Sequence, residues 1–227
     1  MTKLISINKK ISFFKKKTIS VEGDKSLSIR FILLSSISKG KCVGKNLLKS
    51  EDVLSAINSI RKLGIKVKLQ NKNCEVSGKG LNGYDYKKNI ILNAGNSGTT
   101  ARLICASVIN TNHHIKITGD ESLRKRDMQR IIEPLSKFGA KFTSNNKKLP
   151  LKIIGPKKLK PIYYYEKLGS AQCKSAVMIA ALKSDGKTRI KCKPSRNHTE
   201  IMFEKVLKIP IKVQKFKKFE TIEISGL

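Results

Sequence analysis

Apolar and polar positions alternate along this chain in a pattern that repeats three times. Residues 27–37, 100–109 and 171–182 are apolar nearly all round, as expected of helices buried on most sides. A short strand-like stretch follows each, at residues 42–46, 114–118 and 188–193. Next comes an amphipathic helix, read as SEDVLSAINSIRKLGIKVK, RDMQRIIEPLSKFGAKFT and HTEIMFEKVLKIPIKVQ. In the first copy Val53, Ile57 and Ile60 share one face, and Ser50, with Glu51 and Asp52 beside it, is the expected N-terminal cap. Gly64 and Gly139 are expected to close the first two copies, where the third has Ile209 and Pro210. Each helix runs into a strand, and after a polar turn a second strand follows at residues 74–77, 151–154 and 221–225. The unit is βαβαββ, its opening strand supplied just before the apolar helix. Self-similarity at this period predicts an α/β (α+β) fold of three units, with helices at the centre and amphipathic sheets outside.

A short polar cluster stands at the start of each apolar helix: GDKSLSIR (23–30), AGNSGTTAR (94–102) and GSAQCKS (169–175), about 73 residues apart. Helix starts present unpaired backbone N–H groups and a positive dipole end, so they favour anions. Three such starts aimed at one place predict a site for phosphate or carboxylate groups. Residues 1–19 alternate loosely, end in the basic run Lys15 to Lys17, and fall outside the threefold pattern as a hairpin or strand pair. The sequence stops at SGL directly after the last expected strand, which reads as a chain cut rather than finished.

Composition changes the picture in one respect. The net charge of +32, from 48 basic and 16 acidic residues, invites a nucleic-acid or anionic-membrane partner. Yet the basic residues are nearly all lysine, spread over every segment, with 8 arginines and no tryptophan, which reads as a solvated lysine-rich surface. Against that background arginine marks places that need a planar, bidentate fork. Arg30, Arg102, Arg126 and Arg196 lie in motif segments, whereas Arg61 and Arg189 do not. Five cysteines without paired spacing imply neither disulfides nor zinc and fit a reducing cytoplasm. The adjacent His113 and His114 would face opposite sides of a strand, a poor metal pair and more in keeping with surface residues. No segment has the apolar core of a signal peptide or the length of a membrane span.

GDKSLSIR, AGNSGTTARL, TGDESLRKRDM, LGSAQCKSA and PSRNHTE occur in the order and approximate spacing of the 5-enolpyruvylshikimate-3-phosphate synthase (EPSP synthase) family, which the chain resembles from about residue 4 to its end. The resemblance covers about the first half of that enzyme. It implies an inside-out α/β barrel of the enolpyruvyl transferase kind, built as two lobes of three βαβαββ units with the active site between them. Residues 20–227 resemble one three-repeat substrate-binding lobe. Residues 1–19 resemble the first strands of the other, incomplete lobe, and the catalytic C-terminal lobe is not encoded.

The activity implied is 3-phosphoshikimate 1-carboxyvinyl transfer: an enolpyruvyl group passes from phosphoenolpyruvate to the 5-hydroxyl of shikimate 3-phosphate, with release of phosphate and without metal or cofactor. Lys25 matches the family's catalytic lysine between both substrates. Lys25, Ser26, Arg30, Ser170, Ala171, Gln172 and Arg196 match its shikimate 3-phosphate ligands; Lys25, Gly98, Arg126 and Gln172 match its phosphoenolpyruvate ligands. Asn96, Ser97 and Thr99 complete the loop against phosphoenolpyruvate, Arg102 is expected to buttress it, and Arg124 is the alternative to Arg126. Two departures are expected to weaken the site. Asp127 stands where the family often has proline and would compete for Arg126, and Glu22, in another proline position, adds negative charge near Lys25. Gly98 leaves room where an alanine methyl would intrude, which implies inhibition of a completed enzyme by glyphosate, the family's phosphoenolpyruvate mimic. His198 reads as a cap or surface residue. The family's general base lies in the other lobe, so the fragment is expected to need that lobe, in cis or as a separate chain, and to be cytoplasmic and monomeric when complete. The related UDP-N-acetylglucosamine enolpyruvyl transferases resemble it less, since they carry a cysteine in the loop at residues 119–126 and this chain has none. The alternative reading is a basic RNA-binding or RNA-end-processing module of related repeat fold; the dispersed lysines and the lack of aromatic platforms around them in the sequence stand against it.

Overall fold

A computed structural model describes residues 20–227, and the hairpin or strands expected at residues 1–19 lie outside the described residues. The first repeat comprises α1 (Lys25–Ile37), β1 (Lys39–Gly44), α2 (Glu51–Lys62), β2 (Lys66–Gln70) and β3 (Asn73–Lys79). The second comprises β4 (Ile91–Asn93), α3 (Gly98–Ser107), β5 (Ile115–Thr118), α4 (Glu121–Arg124), α5 (Gln129–Lys137), β6 (Lys141–Ser144) and β7 (Leu151–Ile154). The third comprises β8 (Tyr163–Glu166), α6 (Ala171–Ala181), β9 (Lys187–Cys192), α7 (His198–Ile201) with a π-helical turn at Met202–Val206, β10 (Ile211–Lys215) and β11 (Glu220–Ser225). The short α4 was not foreseen from the hydrophobic pattern; at four residues it is too short to show a period.

The second and third sheets have the same order, β4-β5-β7-β6 and β8-β9-β11-β10, each with a parallel first pair and antiparallel neighbours thereafter. The first sheet is β1-β3-β2, and no opening strand for it occurs among the described residues. Lysines alternate with Val, Ile, Cys and Leu along these strands, so each sheet turns one face to water and the other to the core. The inner faces enclose α1, α3 and α6, whose Ile29, Leu33, Leu103, Ile104, Ala176 and Val177 are fully or almost fully buried.

The amphipathic helices end as the sequence suggests, with one instructive difference. Gly64 and Gly139 take left-handed conformations, φ 81° and 104°, one residue beyond the ends of α2 and α5, after Leu63 and Phe138. In the third repeat that place belongs to Lys208 at φ 54°, rather than to Ile209 or Pro210. The π turn carries it: Ile209 N–H reaches back to Phe203 O at 2.9 Å, whereas Ile65 N–H reaches Ile60 O. Ser50 does sit at the N-cap of α2, but its hydroxyl is buried without a hydrogen-bond partner, which corrects the capping role expected of it. Glu51 and Asp52 supply negative charge to that helix start instead.

Candidate active site at three helix starts

The residues capping the three central helices are Asp24, Ser97 and Ser170, each 73 residues from the next. Asp24 Oδ1 accepts from Leu27 N–H at 2.7 Å, Ser97 Oγ from Thr100 N–H at 3.2 Å, and Ser170 Oγ from Cys173 N–H at 3.3 Å. A hydroxyl that accepts from the helix keeps its own proton to donate, so Ser97 and Ser170 remain available to an anion. The carboxylate at Asp24 has no proton to give when ionised, and Lys25, next in sequence, brings the positive charge at that start.

The starts of α3 and α6 are joined side to side. Gln172 Nε2 donates to Thr99 Oγ1 at 2.8 Å, and Arg102 donates to Gln172 Oε1 at 2.9 Å and to Gly98 O at 3.3 Å. Thr99 and Gln172 hold the same place in successive repeats, so their contact marks the pseudo-threefold axis. Arg126 comes in from the loop after α4 and donates to Asn96 Oδ1 at 3.2 Å. A methyl on Gly98 would lie 2.6 Å from Arg102 Nη1 and 3.2 Å from Arg126 Nη1, so the bare backbone at this helix start lets two guanidinium groups close in on it. Burial lowers the Arg102 pKa, and the neighbouring charges of Arg126 and Arg130 push the same way. Arg124 is turned aside onto Gly119 O at 2.7 Å, which leaves Arg126 as the fork at the loop.

Neither anticipated handicap is present. Asp127 accepts from Gln129 N–H at 2.8 Å at the start of α5 and forms no ion pair among the described residues. Glu22 pairs with Lys72 at 2.6 Å. The carboxylate that does reach Lys25 belongs to Asp52 on α2, at 3.2 Å, with the lysine side chain half exposed. Exposed pairs of this kind contribute little, so a phosphate can take the carboxylate's place at small cost. Asp120 organises the loop beneath: it caps α4 through Leu123 N–H and accepts from Asn96, and these bonds hold its carboxyl below the usual range.

Arg30 is placed differently from the other arginines. It is buried, and its guanidinium donates to Thr199 Oγ1 at 2.9 Å, Ser175 Oγ at 2.9 Å and Ser26 O at 3.2 Å. Burial first, and then the charge of Arg196, lower its pKa to about 10. Arg30 thus stitches the first repeat to the third just under Ser26, while Arg196 stands exposed above it with no hydrogen bond among the described residues. Beside this network Lys174, wholly buried, lies 2.6 Å from Glu200 and 3.7 Å from Glu220. The short contact is poorly aligned for a hydrogen bond, so charge holds α6 to α7. Ser175, Thr199 and Glu200 lie inside the sequence motifs but were given no role there, and Lys174 carried a further signal as a lysine within an apolar run. His198, half-buried, has its pKa lowered by burial and by Arg30.

The candidate site therefore gathers Lys25, Ser26, Gly98, Arg126, Ser170, Ala171, Gln172 and Arg196 around three helix starts, with Arg30 beneath. Its arginines rest largely on neutral acceptors, leaving donors for an anion, and such an arrangement can bind a compound with several negative charges. All five cysteines are free, and among the described residues no helix is long and apolar enough to cross a membrane.

Comparison with known proteins identifies the family and the fold. A family profile described as EPSP synthase (3-phosphoshikimate 1-carboxyvinyltransferase) matches residues 14–227. A 3-phosphoshikimate 1-carboxyvinyltransferase from Thermoanaerobacter sp. is 45% identical over 192 residues, covering 84% of this chain and 45% of the relative. One from Streptococcus pyogenes serotype M1 is 40% identical over 190 residues, covering 82% of this chain and 44% of the relative. The solved structure of EPSP synthase from Acinetobacter baumannii superposes with a TM-score of 0.82 at 32% identity, covering 92% of this chain and 46% of that one. The chain thus spans less than half the length of the relatives it matches.

Proposed function

The chain belongs to the EPSP synthase family, and on that premise we propose that it forms the shikimate 3-phosphate-binding half of a 3-phosphoshikimate 1-carboxyvinyltransferase of the shikimate pathway. The observation that carries this reading is the junction at Gly98, where Arg102, Arg126 and Gln172 meet around the starts of two central helices. Phosphoenolpyruvate and shikimate 3-phosphate together bring two phosphates and two carboxylates into one cleft. Holding them demands fixed donors that need no reorganisation when charge develops.

In this proposal Ser26, Ser170, Gln172 and Arg196 take the phosphate and hydroxyls of shikimate 3-phosphate, with Ala171 in van der Waals contact. Arg30 acts through Ser26, whose carbonyl it holds. Arg126 and the backbone at Gly98 take phosphoenolpyruvate. Lys25 exchanges Asp52 for both anions and balances negative charge on the 5-oxygen and on the departing phosphate, as the bond from that oxygen to C2 of phosphoenolpyruvate forms and the bond from C2 to the phosphate oxygen breaks. Turnover requires the remaining part of the enzyme, in cis or as a separate polypeptide, to supply the general base and to close over the substrates. A cytoplasmic location fits the free cysteines.

The test is calorimetric titration of the 227-residue chain with shikimate 3-phosphate, repeated with Lys25→Ala and Arg196→Ala. Saturable binding weakened by both changes supports the proposal. A folded chain that takes up no shikimate 3-phosphate, or turnover by this chain alone, contradicts it.

A further inference from the structure

The three sheets are equivalent by repeat, and all three carry lysines outward, but their outer faces differ in one respect. The first presents the rows Lys41–Ser77–Lys66 and Val43–Glu75–Lys68. The second presents Ile91–Lys116–Lys152–Thr143. The third presents Tyr163–Arg189–Glu223–Lys212 and, beside it, Tyr165–Lys191–Thr221–Gln214. Tyr163 is 64% exposed, Tyr165 46%, and Phe216, at the tip of the β10–β11 hairpin, 48%. Among the described residues no other phenylalanine or tyrosine is exposed. Lysine everywhere is a property of composition; aromatic rings gathered on one face of one sheet are not.

The rings and charges are interleaved. Phe216 stacks on Phe219 at 4.5 Å, Lys191 Nζ lies 4.4 Å from the Phe219 ring centre and 5.6 Å from that of Tyr165, and Lys167 approaches Tyr165 at 5.9 Å. Lys217 and Lys218 stand exposed at the hairpin tip. The one acidic side chain in the two rows, Glu223, is occupied by Lys187 and Arg189. Lys167, Lys191, Lys217 and Lys218 form no ion pair among the described residues. The tyrosine hydroxyls of this face likewise form no hydrogen bond there. Their separation in sequence explains why the hydrophobic pattern shows no aromatic platform: Tyr163 and Tyr165 meet Lys191 only across the β8–β9 pairing.

We propose that the outer face of the third sheet binds single-stranded RNA. Unpaired bases stack on Tyr163, Tyr165 and Phe216, and phosphates meet Lys167, Lys191 and the hairpin tip. The free phenol groups suit the ribose 2′-hydroxyl, which both donates and accepts. This face is the outer surface of the sheet, and only its Tyr165–Lys167 end approaches a helix start, where Ser170 N–H donates to Glu166; the proposal does not rest on the proposed enzymatic role.

The experiment is fluorescence anisotropy of a short fluorescein-labelled oligouridylate titrated with the full chain at several salt concentrations. Saturable binding is expected to weaken by at least roughly fivefold for each ring removed in Tyr163→Ala, Tyr165→Ala and Phe216→Ala. Tyr165→Phe keeps the ring and is expected to keep most of the affinity. Replacing Lys41, Lys66 and Lys68 by Gln removes charge from the ring-free first sheet and is expected to matter far less. Thermal unfolding and shikimate 3-phosphate titration of the ring variants are expected to match the parent, which separates loss of the face from loss of the fold. The proposal is overturned if no saturable binding occurs, or if the ring variants bind like the parent. It is also overturned if heparin or phosphatidylserine vesicles bind as well and with the same indifference to the rings. Equal affinity for the matching oligodeoxyuridylate overturns the assignment to RNA.

Discussion

At one end of the central helices Thr99 and Gln172, equivalent residues of successive repeats, meet at 2.8 Å; at the other end the equivalent residues Asn110 and Lys183 meet at 2.9 Å. Both contacts lie near the same pseudo-threefold axis, yet the ends have opposite chemistry. At the helix starts, positive dipole ends face arginines that lean on neutral oxygens, so positive potential accumulates and is left for a ligand. At the helix ends the carbonyl groups face a single lysine. Lys183 donates to Ser107 O and to Asn110 Oδ1, and its ammonium lies 5.4 Å from the ring centre of Tyr84, whose hydroxyl meets Ser36 at 2.8 Å. One end is a socket with free donors; at the other Lys183 plugs the junction of helix ends, beside a cavity that Tyr84, Asn110 and Thr111 also line. The difference teaches that the repeat fixes where helix termini converge, while a few side chains decide whether the convergence binds a ligand or closes the fold.

The strongest way to break this comparison is at Lys183. Burial lowers its pKa from 10.5 to about 7, so the unfolded chain holds the proton more tightly. For a base depressed in the folded state, stability rises with pH between those two values, and the cost of charging is fully present below the lower one. The stability difference between parent and Lys183→Met, from urea unfolding, is therefore expected to change in the parent's favour by about 1.4 kcal/mol per pH unit between roughly pH 8 and 10. A difference that does not vary with pH would mean that the helix carbonyl ends keep the amine charged.

At the opposite end, Lys25→Ala removes a charged donor, and affinity for shikimate 3-phosphate is expected to fall by roughly 10- to 100-fold in calorimetry. Unfolding is expected to change little, since the Lys25–Asp52 pair is exposed. Gly98→Ala places a methyl against Arg102 and Arg126 and is expected to cost about 1–2 kcal/mol in urea unfolding. Because the methyl displaces Arg102 from Gln172, it is also expected to weaken anion binding, whereas Asn110→Ala at the plugged end is not. The smallest effect is Ser97→Ala, a lost cap expected to cost about 1 kcal/mol in unfolding with the helix starts still aligned.

Much of the socket was legible in the sequence, because caps, apolar helices and the 73-residue spacing are local or periodic features. Asp24, Ser97 and Ser170 could be found by repeat alone, whereas the preference for Arg126 over Arg124 came only from the family resemblance. The plug was not legible. A lysine just after an apolar helix reads as a surface residue, and only the folded chain brings Ser107 and Asn110 to it. The same holds for Arg30, whose partners Ser175 and Thr199 lie 145 and 169 residues away, and for Lys174 with Glu200. Periodicity specifies which face of an element is buried; it carries no information on which polar side chains meet across the axis. Lys208 in the glycine position is a third case, set by the π turn that precedes it.

The most direct test of the socket is amide chemical-shift mapping of the isotopically labelled chain during titration with shikimate 3-phosphate. The expected result is saturable movement of the amides of Lys25 and Ser26, Gly98 and Thr99, and Ala171 and Gln172, with Ser107, Asn110 and Lys183 unmoved. Shifts confined to the Lys183 end, or scattered along the lysine-bearing strands with no preference for the helix starts, would contradict it.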